Sequence, residues 1–184
     1  MNDKVDRRIV KSQNLIHSAF LKMLLENEFD EITVKEIAEK ADISRKTFYL
    51  HYVDKYDLLD TIVNKQLEEL EKICEQKKDK GFIEGTIIWF NYFAEHKAFF
   101  SALFKSESTV SFRKQLLNFM ANQLSKKLTN LKHEQDAEIL LRFLSMAVLG
   151  IVESFVLDEL NASTEQIAKQ VGELLVQNIS LVSH

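Results

Sequence analysis

The sequence predicts an all-α protein, with a compact three-helix head at the N-terminus and a bundle of longer helices behind it. Three observations lead there. The 184 residues contain no proline and only four glycines, the two residue types that break or weaken helix interiors. Apolar residues recur at three- and four-residue spacing along most of the chain, and no segment alternates as a half-buried strand would. Residues suited to capping a helix stand where those apolar patterns begin. Hydrophobic residues make up 46% of the chain, too many for a disordered protein and enough for a core that folds without staples.

The first helix is expected over 5–26, where Ile9, Ile16, Ala19, Phe20, Met23 and Leu24 share one face. NEFDEI (27–32) interrupts it. Thr33 opens a short helix, TVKEIAEKA (33–41), in which Thr33 and Glu36 have capping-box spacing. Its apolar side is Val34, Ile37, Ala38 and Ala41. Asp42 and Ile43 make a turn, and Ser44 caps a third helix, SRKTFYLHY (44–52). Asp54 caps the fourth, with Asp57 at its third helical position, where an acid favours the positive end of the helix dipole. This helix runs to Gln76, roughly 34 Å at 1.5 Å per residue, and the charged KKDKG (77–81) ends it. The expected division is a head over 1–53 and a body over 54–184, joined by helix 54–76. The body should hold helices over 81–96, 97–104, 109–130, 136–158 and 164–182, the last opened by Ser163 and Gln166 in capping-box spacing.

Several classes drop out. Cys74 is the only cysteine, so no intramolecular disulfide forms and a cytoplasmic setting is the simplest expectation. The first twenty residues lack the apolar core of a signal peptide. The longest uncharged apolar run, FLSMAVLGIV (143–152), falls short of the roughly 20 residues of a membrane span, so no membrane partner is expected. The five histidines form no H-x-x-x-H pair or Cys/His cluster, so no metal site is expected. Nothing matches G-x-S-x-G, a P-loop or a dinucleotide fingerprint, so no catalytic residues and no cofactor are assigned.

Helices at 33–41 and 44–52 with two residues between them have the layout of a helix-turn-helix, whose second helix enters the DNA major groove. Phe48 belongs with Ile37, Ala38 and Ile43 in the core. The outward residues carry nucleic-acid chemistry. Arg45 can donate two hydrogen bonds to guanine O6 and N7. Lys46 can reach a base or a phosphate. The hydroxyls of Thr47 and Tyr49 can bond phosphates, and the Thr47 methyl can pack on thymine. His51, Tyr52 and Lys55 follow within reach of a backbone strand. Thr33 and Ser44 stand at helix N-termini, which attract phosphate, and Arg7, Arg8 and Lys11 form a small basic cluster ahead of the head. Spacing alone leaves a second reading open, in which these cations are one solvated face. The net charge of −4 counts mildly against DNA without deciding the matter, because binding depends on where charges sit.

ITVKEIAEKADISRKTFYLHYVDKYDLLD (32–60) resembles the DNA-binding signature of TetR-family transcription regulators. It carries the Thr-led helix, I-A-x-x-A, the turn, S-R-x-T-F-Y, then a histidine, an aromatic, a lysine and L-L in the family's order. The resemblance implies that Arg45, Lys46 and Thr47 face DNA, that Tyr49 bonds a phosphate, and that His51 and Lys55 lie at the backbone. Asp42 stands where the family usually has glycine. Aspartate tolerates the left-handed conformation less well, at some cost in local stability.

For the body the resemblance implies a helical regulatory domain that dimerises and often binds a small molecule. Helix 136–158 is apolar on nearly all sides and must be buried. Together with helix 164–182, it is expected to form the contact of a homodimer, with Gly150 and Gly172 as close-approach points. The alternative is that both helices only complete the monomer core. Trp89, Phe90, Phe93, Phe99, Phe100, Phe104, Phe112 and Phe119 read as packed core or as the wall of a cavity for a small apolar or aromatic ligand. The expected function is a homodimeric repressor that reads a near-palindromic operator in double-stranded DNA and is released by a ligand. The alternative is an α-helical interaction or co-activator protein whose head no longer reads DNA.

Overall fold

A computed structural model of the chain describes residues 2–76, 79–106, 109–126 and 134–182, and among them every regular element is helical. The head consists of α1 (Asn2–Glu26), a single 3-10 turn (Phe29–Glu31), α2 (Val34–Lys40) and α3 (Arg45–Tyr49). The body consists of α4 (Lys55–Gln76), α5 (Phe82–Glu95), α6 (Lys97–Lys105), α7 (Val110–Ser125), α8 (Glu134–Val156) and α9 (Thr164–Val182). Residues 127–130, the expected end of the helix over 109–130, lie outside the described residues, as does His133.

Local capping chemistry sets the head's boundaries. Thr33 accepts from the Glu36 backbone N–H, and the Glu36 carboxylate accepts from the Thr33 N–H at 3.0 Å, a complete capping box. α2 then closes in a Schellman arrangement. The Ile43 N–H donates to Ala38 O at 3.0 Å and the Asp42 N–H to Glu39 O at 3.1 Å. Asp42 takes the left-handed position of that motif, with φ 54°, where glycine is usual. Ser44 caps α3 by accepting from the Thr47 N–H at 3.0 Å. α3 is shorter than the expected 44–52. Its regular part ends at Tyr49 because the next amide bonds include i−3 contacts, such as His51 N–H to Phe48 O at 2.9 Å, which tighten the last turn.

Asp54 caps α4 through the Tyr56 and Asp57 amides, and Asp57 reaches back to the Val53 N–H at 2.9 Å. α4 buries Leu58, Leu59, Ile62, Val63 and Leu70 and continues from the head into the body. Two polar attachments fix it to α7. Asp60 accepts from Gln115 at 3.0 Å and Ser111 at 3.2 Å, and Glu71 pairs with Lys126 at 2.8 Å. The Tyr92 hydroxyl of α5 donates to Gln66 O at 3.0 Å. α1 also packs on α6, so head and body meet along a second seam.

The aromatic cluster is mostly packed core. Phe90, Phe93, Phe100 and Phe112 are fully buried, with edge-on ring pairs such as Phe93–Phe100 at 4.8 Å and Phe104–Phe112 at 5.0 Å. Gly172 differs from expectation. A Cβ there would lie 2.6 Å from Ile83 Cα, so the glycine permits the close crossing of α5 and α9 within one chain. Gly150 by contrast faces open space. α8 also differs. Its Glu138–Val156 stretch is long and apolar enough to cross a bilayer by length and composition, which the uninterrupted-run criterion missed. Leu144, Val148, Val152 and Val156 are buried in the bundle, and Glu153 pairs with Arg113 of α7 at 2.7 Å, but Ile139, Phe143 and Met146 are exposed, so one chain buries only one side of this helix. α8 ends in a second Schellman arrangement with Asp158 at φ 62°.

The turn can be tested directly. Asp42→Gly should stabilise the protein by about 0.5–1 kcal/mol, and Asp42→Val should destabilise it by about 1–2 kcal/mol. Urea unfolding at one fixed protein concentration reads both.

Candidate nucleic-acid interface

α3 is too short to persist alone, and its inner side supplies what holds it. Phe48 is fully buried and meets Tyr52 at 5.7 Å between ring centroids, among a core that includes Ile37, Ala38 and Ala41. With Phe48 inward, helical geometry turns Lys46 and Tyr49 outward, and Arg45, the first residue of the helix, is exposed with them. Among the described residues the side chains of Arg45 and Lys46 make no hydrogen bond or ion pair, so their donors are available. Neighbouring cations are engaged. Lys40 pairs with Glu26 at 2.6 Å and Lys35 with Glu39 at 3.9 Å. Arg7, Arg8 and Lys11 are exposed along α1.

Thr33, Ser44 and Thr47 direct their hydroxyls first to the backbone frame. Thr33 Oγ1 donates to Glu36 at 2.7 Å, and that bond holds the exposed Glu36 carboxyl below its ordinary pKa. Ser44 Oγ and Thr47 Oγ1 lie 2.9 Å apart, with Thr47 half-buried. His51 is half-buried. One ring nitrogen, Nε2, bonds Ser12 Oγ of α1 at 2.6 Å, and the other makes no hydrogen bond among the described residues.

Two residues depart from the expected surface. Tyr52 is 4% exposed, and its hydroxyl bonds His17 Nε2 of α1 at 2.8 Å. Burial raises its pKa. It is a core residue with a satisfied polar tip and does not face DNA. Lys55 turns back into the head. Its ammonium donates to Phe29 O at 2.9 Å, Asp30 O at 3.0 Å and Ile32 O at 2.9 Å, and it stands over the Phe29 ring at 4.7 Å. Burial draws its pKa down, against the pull of Asp30 and Glu36. No donor of this ammonium is left for a phosphate.

Sequence reasoning overlooked Leu50 and Val53, which are 74% and 78% exposed at the exit from α3. Neither was given a place from the sequence, although both follow Phe48 within five residues. It also overlooked Ser12 and His17 of α1, whose partners lie 39 and 35 residues away.

The short α3, the turn through Asp42 and Ile43 between the Ala41 and Ser44 caps, and the capped α2 define a helix-turn-helix head on a body that is helical among the described residues. Comparison with known proteins gives the family. The model of "Bacterial regulatory proteins, tetR family" matches residues 16–62, and that of "Transcriptional regulator C-terminal region" matches residues 80–177. The chain belongs to the TetR family and is a transcription regulator, not an enzyme. The uncharacterized HTH-type transcriptional regulator YxbF of Bacillus subtilis (strain 168) is 37% identical over 68 residues, a match spanning 36% of this chain and only 18% of that protein. The dhaKLM operon transcriptional activator DhaS of Lactococcus lactis is 22% identical over 182 residues, covering 95% of this chain and 94% of its own. A TetR transcriptional regulator from Streptococcus agalactiae 2603V has the same fold, with a TM-score of 0.77 at 22% identity over 95% of this chain and 99% of that one.

The His17–Tyr52 pair makes the head sensitive to acid. Burial holds the His17 imidazole below its ordinary pKa of 6.5, and the Lys65 ammonium pushes the same way. As pH falls, the unfolded chain therefore takes up this proton first. The stability is complete above pH ~6.5 and is lost as the pH falls toward the lower folded value. Between about pH 7.5 and about pH 5.5, thermal unfolding of the wild type should fall further than that of His17→Gln. Equal falls, followed by circular dichroism, would exclude this role.

Proposed function

We propose that the protein is a homodimeric regulator that reads a near-palindromic operator through α3 and is released from it by a small apolar ligand. Arg45 reads guanine, Lys46 meets a base or phosphate, and Thr47 and Tyr49 meet the backbone and thymine. His51 lies at the edge of this surface, and Thr33 and Ser44 serve it as caps. The observation that carries the reading is the pair of unpartnered cations, Arg45 and Lys46, exposed beside Tyr49 on a helix anchored from behind by Phe48. Acting on chromosomal DNA would place the protein in the cytoplasm.

The homodimer is supported by what one chain leaves uncovered. Ile139, Phe143 and Met146 are exposed at i, i+4 and i+7 on α8, in line with the open Gly150, and Leu174 is exposed on α9. A stripe of large apolar side chains on one face marks an interaction surface. Ligand control is supported by a cavity of about 130 Å³ where α4, α5, α7 and α9 meet, lined by Cys74, Phe82, Trp89, Leu124 and Leu175 with Gln123 and Lys126. That volume suits a molecule with one small ring or a short chain, below the ~300–1,000 Å³ of drug-sized pockets. Glu71, which pairs with Lys126, lies one turn from Cys74 on α4, so an occupant can bias the rod that carries the head. Ligand and operator must then weaken each other by the same factor.

A second reading has one observation in its favour. DhaS, similar over nearly the full length, is named an activator. In that reading the bound dimer raises transcription, and a reporter behind the operator, with and without the protein, separates the two signs.

Operators selected from a random duplex library should bind with an affinity that falls steeply with salt, as phosphate contacts require. Arg45→Ala should remove about 1–3 kcal/mol of preference at one base position. Sequence-blind, salt-insensitive binding would favour an interaction protein instead. Phe143→Glu combined with Met146→Glu should yield a monomer in analytical ultracentrifugation and weaken operator binding. An unchanged dimer would remove α8 from the interface.

A further inference from the structure

Lys55 is the first residue of α4, directly behind the exit from α3. A protonated lysine has three N–H donors at one point, directed to three corners. Here three carbonyls converge on them at 2.9, 3.0 and 2.9 Å. The carbonyls belong to Phe29, Asp30 and Ile32, the 3-10 turn and the residue that closes it, immediately before the Thr33 cap of α2. They form the carbonyl end of a helical turn, where partial negative charge collects, and Phe29 O also accepts from the Ile32 N–H at 3.2 Å. The Phe29 and Tyr56 rings stand 4.7 and 5.6 Å from the ammonium and cover part of it. They meet each other edge-on at 5.2 Å, and Phe29 is itself fully buried.

We propose that Lys55 is a positioning residue for operator binding, a clamp that fastens the start of α4 to the entry of α2 and touches no phosphate. The inference rests on the DNA-binding reading above and assigns Lys55 a role opposite to the one its place in the motif suggested. Without the clamp, α4 holds the helix-turn-helix through the 50–54 segment and apolar contacts, which resist sliding weakly because they have no direction. With it, a polar bond network links the rod that reaches the body cavity to the helix that supports α3. A shift of α4 then carries α2 and α3 as one unit.

The clamp and a phosphate contact predict opposite results in operator-binding titrations over a range of salt. A lost phosphate contact lowers the slope of log affinity against log salt by about 0.9, and arginine replaces lysine well at a phosphate. A lost clamp leaves the slope unchanged and lowers affinity by a similar factor at every salt, about tenfold or more, the scale of a lost charged hydrogen bond. A planar guanidinium cannot direct three donors to one converging carbonyl set, so Lys55→Arg should fail as Lys55→Met does. A shallower slope for Lys55→Met, or wild-type affinity for Lys55→Arg, would overturn the proposal. A measurement on the unsubstituted protein guards against variants that do not fold. Amine acylation mapped residue by residue should spare Lys55 with and without operator while labelling Lys46 in the free protein. A Lys55 that is labelled when free and protected by operator would overturn the clamp. Wild-type binding to operator tests the DNA-binding reading by itself, so its failure is separate from a failure of the clamp.

Discussion

The burial of Phe48 is the constraint on which the reading surface depends. Five residues of helix form too few hydrogen bonds to repay the cost of nucleation, so α3 has no stability of its own. It exists because one side chain is fully buried against α2 and α1 and because Ser44 satisfies the amide that would otherwise be left open. Rotating α3 by one residue would expose Phe48 and bring Thr47 or Tyr49 to the inner position, at the cost of a hydrophobic contact and a desolvated hydroxyl. The direction in which Arg45 and Lys46 point is therefore set from the inside. Tyr52 extends the same anchor. Its ring packs on Phe48, and its hydroxyl meets His17 of α1, so the exit from α3 is held as firmly as its entry.

α4 carries this arrangement into the body. It begins at the Lys55 cradle, buries Leu58, Leu59, Ile62 and Val63 near the head, and is tied to α7 at Asp60 and again at Glu71. The two ties are unlike in exposure and partner. Gln115 at the first is half-buried, whereas Lys126 at the second is exposed and borders the cavity. The second is thus the weaker constraint in water and the one nearer to any occupant. A rod held firmly at one end and loosely beside a cavity at the other is suited to pivoting, since a small displacement at the loose end changes the angle of everything the firm end holds.

The local part of this structure was legible in the sequence. Thr33 with Glu36, Ser44 with Thr47, Asp54 with Asp57 and Ser163 with Gln166 are all contacts between residues three apart. Their geometry follows from the helix itself, so helix starts could be placed from residue type and order. Phe48 was legible for the same reason, as the one apolar residue on the inner face of an otherwise polar helix. Tyr52 and Lys55 were not legible, and Gly172 was legible as a close-approach point but not in its partner. Each is fixed by groups tens of residues away: His17 for Tyr52, the 29–32 carbonyls for Lys55, and Ile83 for Gly172. Tertiary packing decides such cases, and a helical period carries no information about it. The exposed Leu50 and Val53 are the converse, apolar side chains that packing left outside.

The acidic total and the small basic surface follow from one distribution of charge. On the head, Lys35 and Lys40 are offset by Glu39 and Glu26, and Lys55 is spent on carbonyls. What remains on α3 is two cations. With the exposed Arg7, Arg8 and Lys11 of α1 the head offers only two small groups of cations, a modest source of counterion release. Joining two heads on one body changes this without any new contact, because the second head binds at the effective concentration set by the first. In the proposed homodimer the modest charge of one head and the uncovered apolar stripe of α8 answer each other: a second copy joined through that stripe would add the affinity that one head lacks.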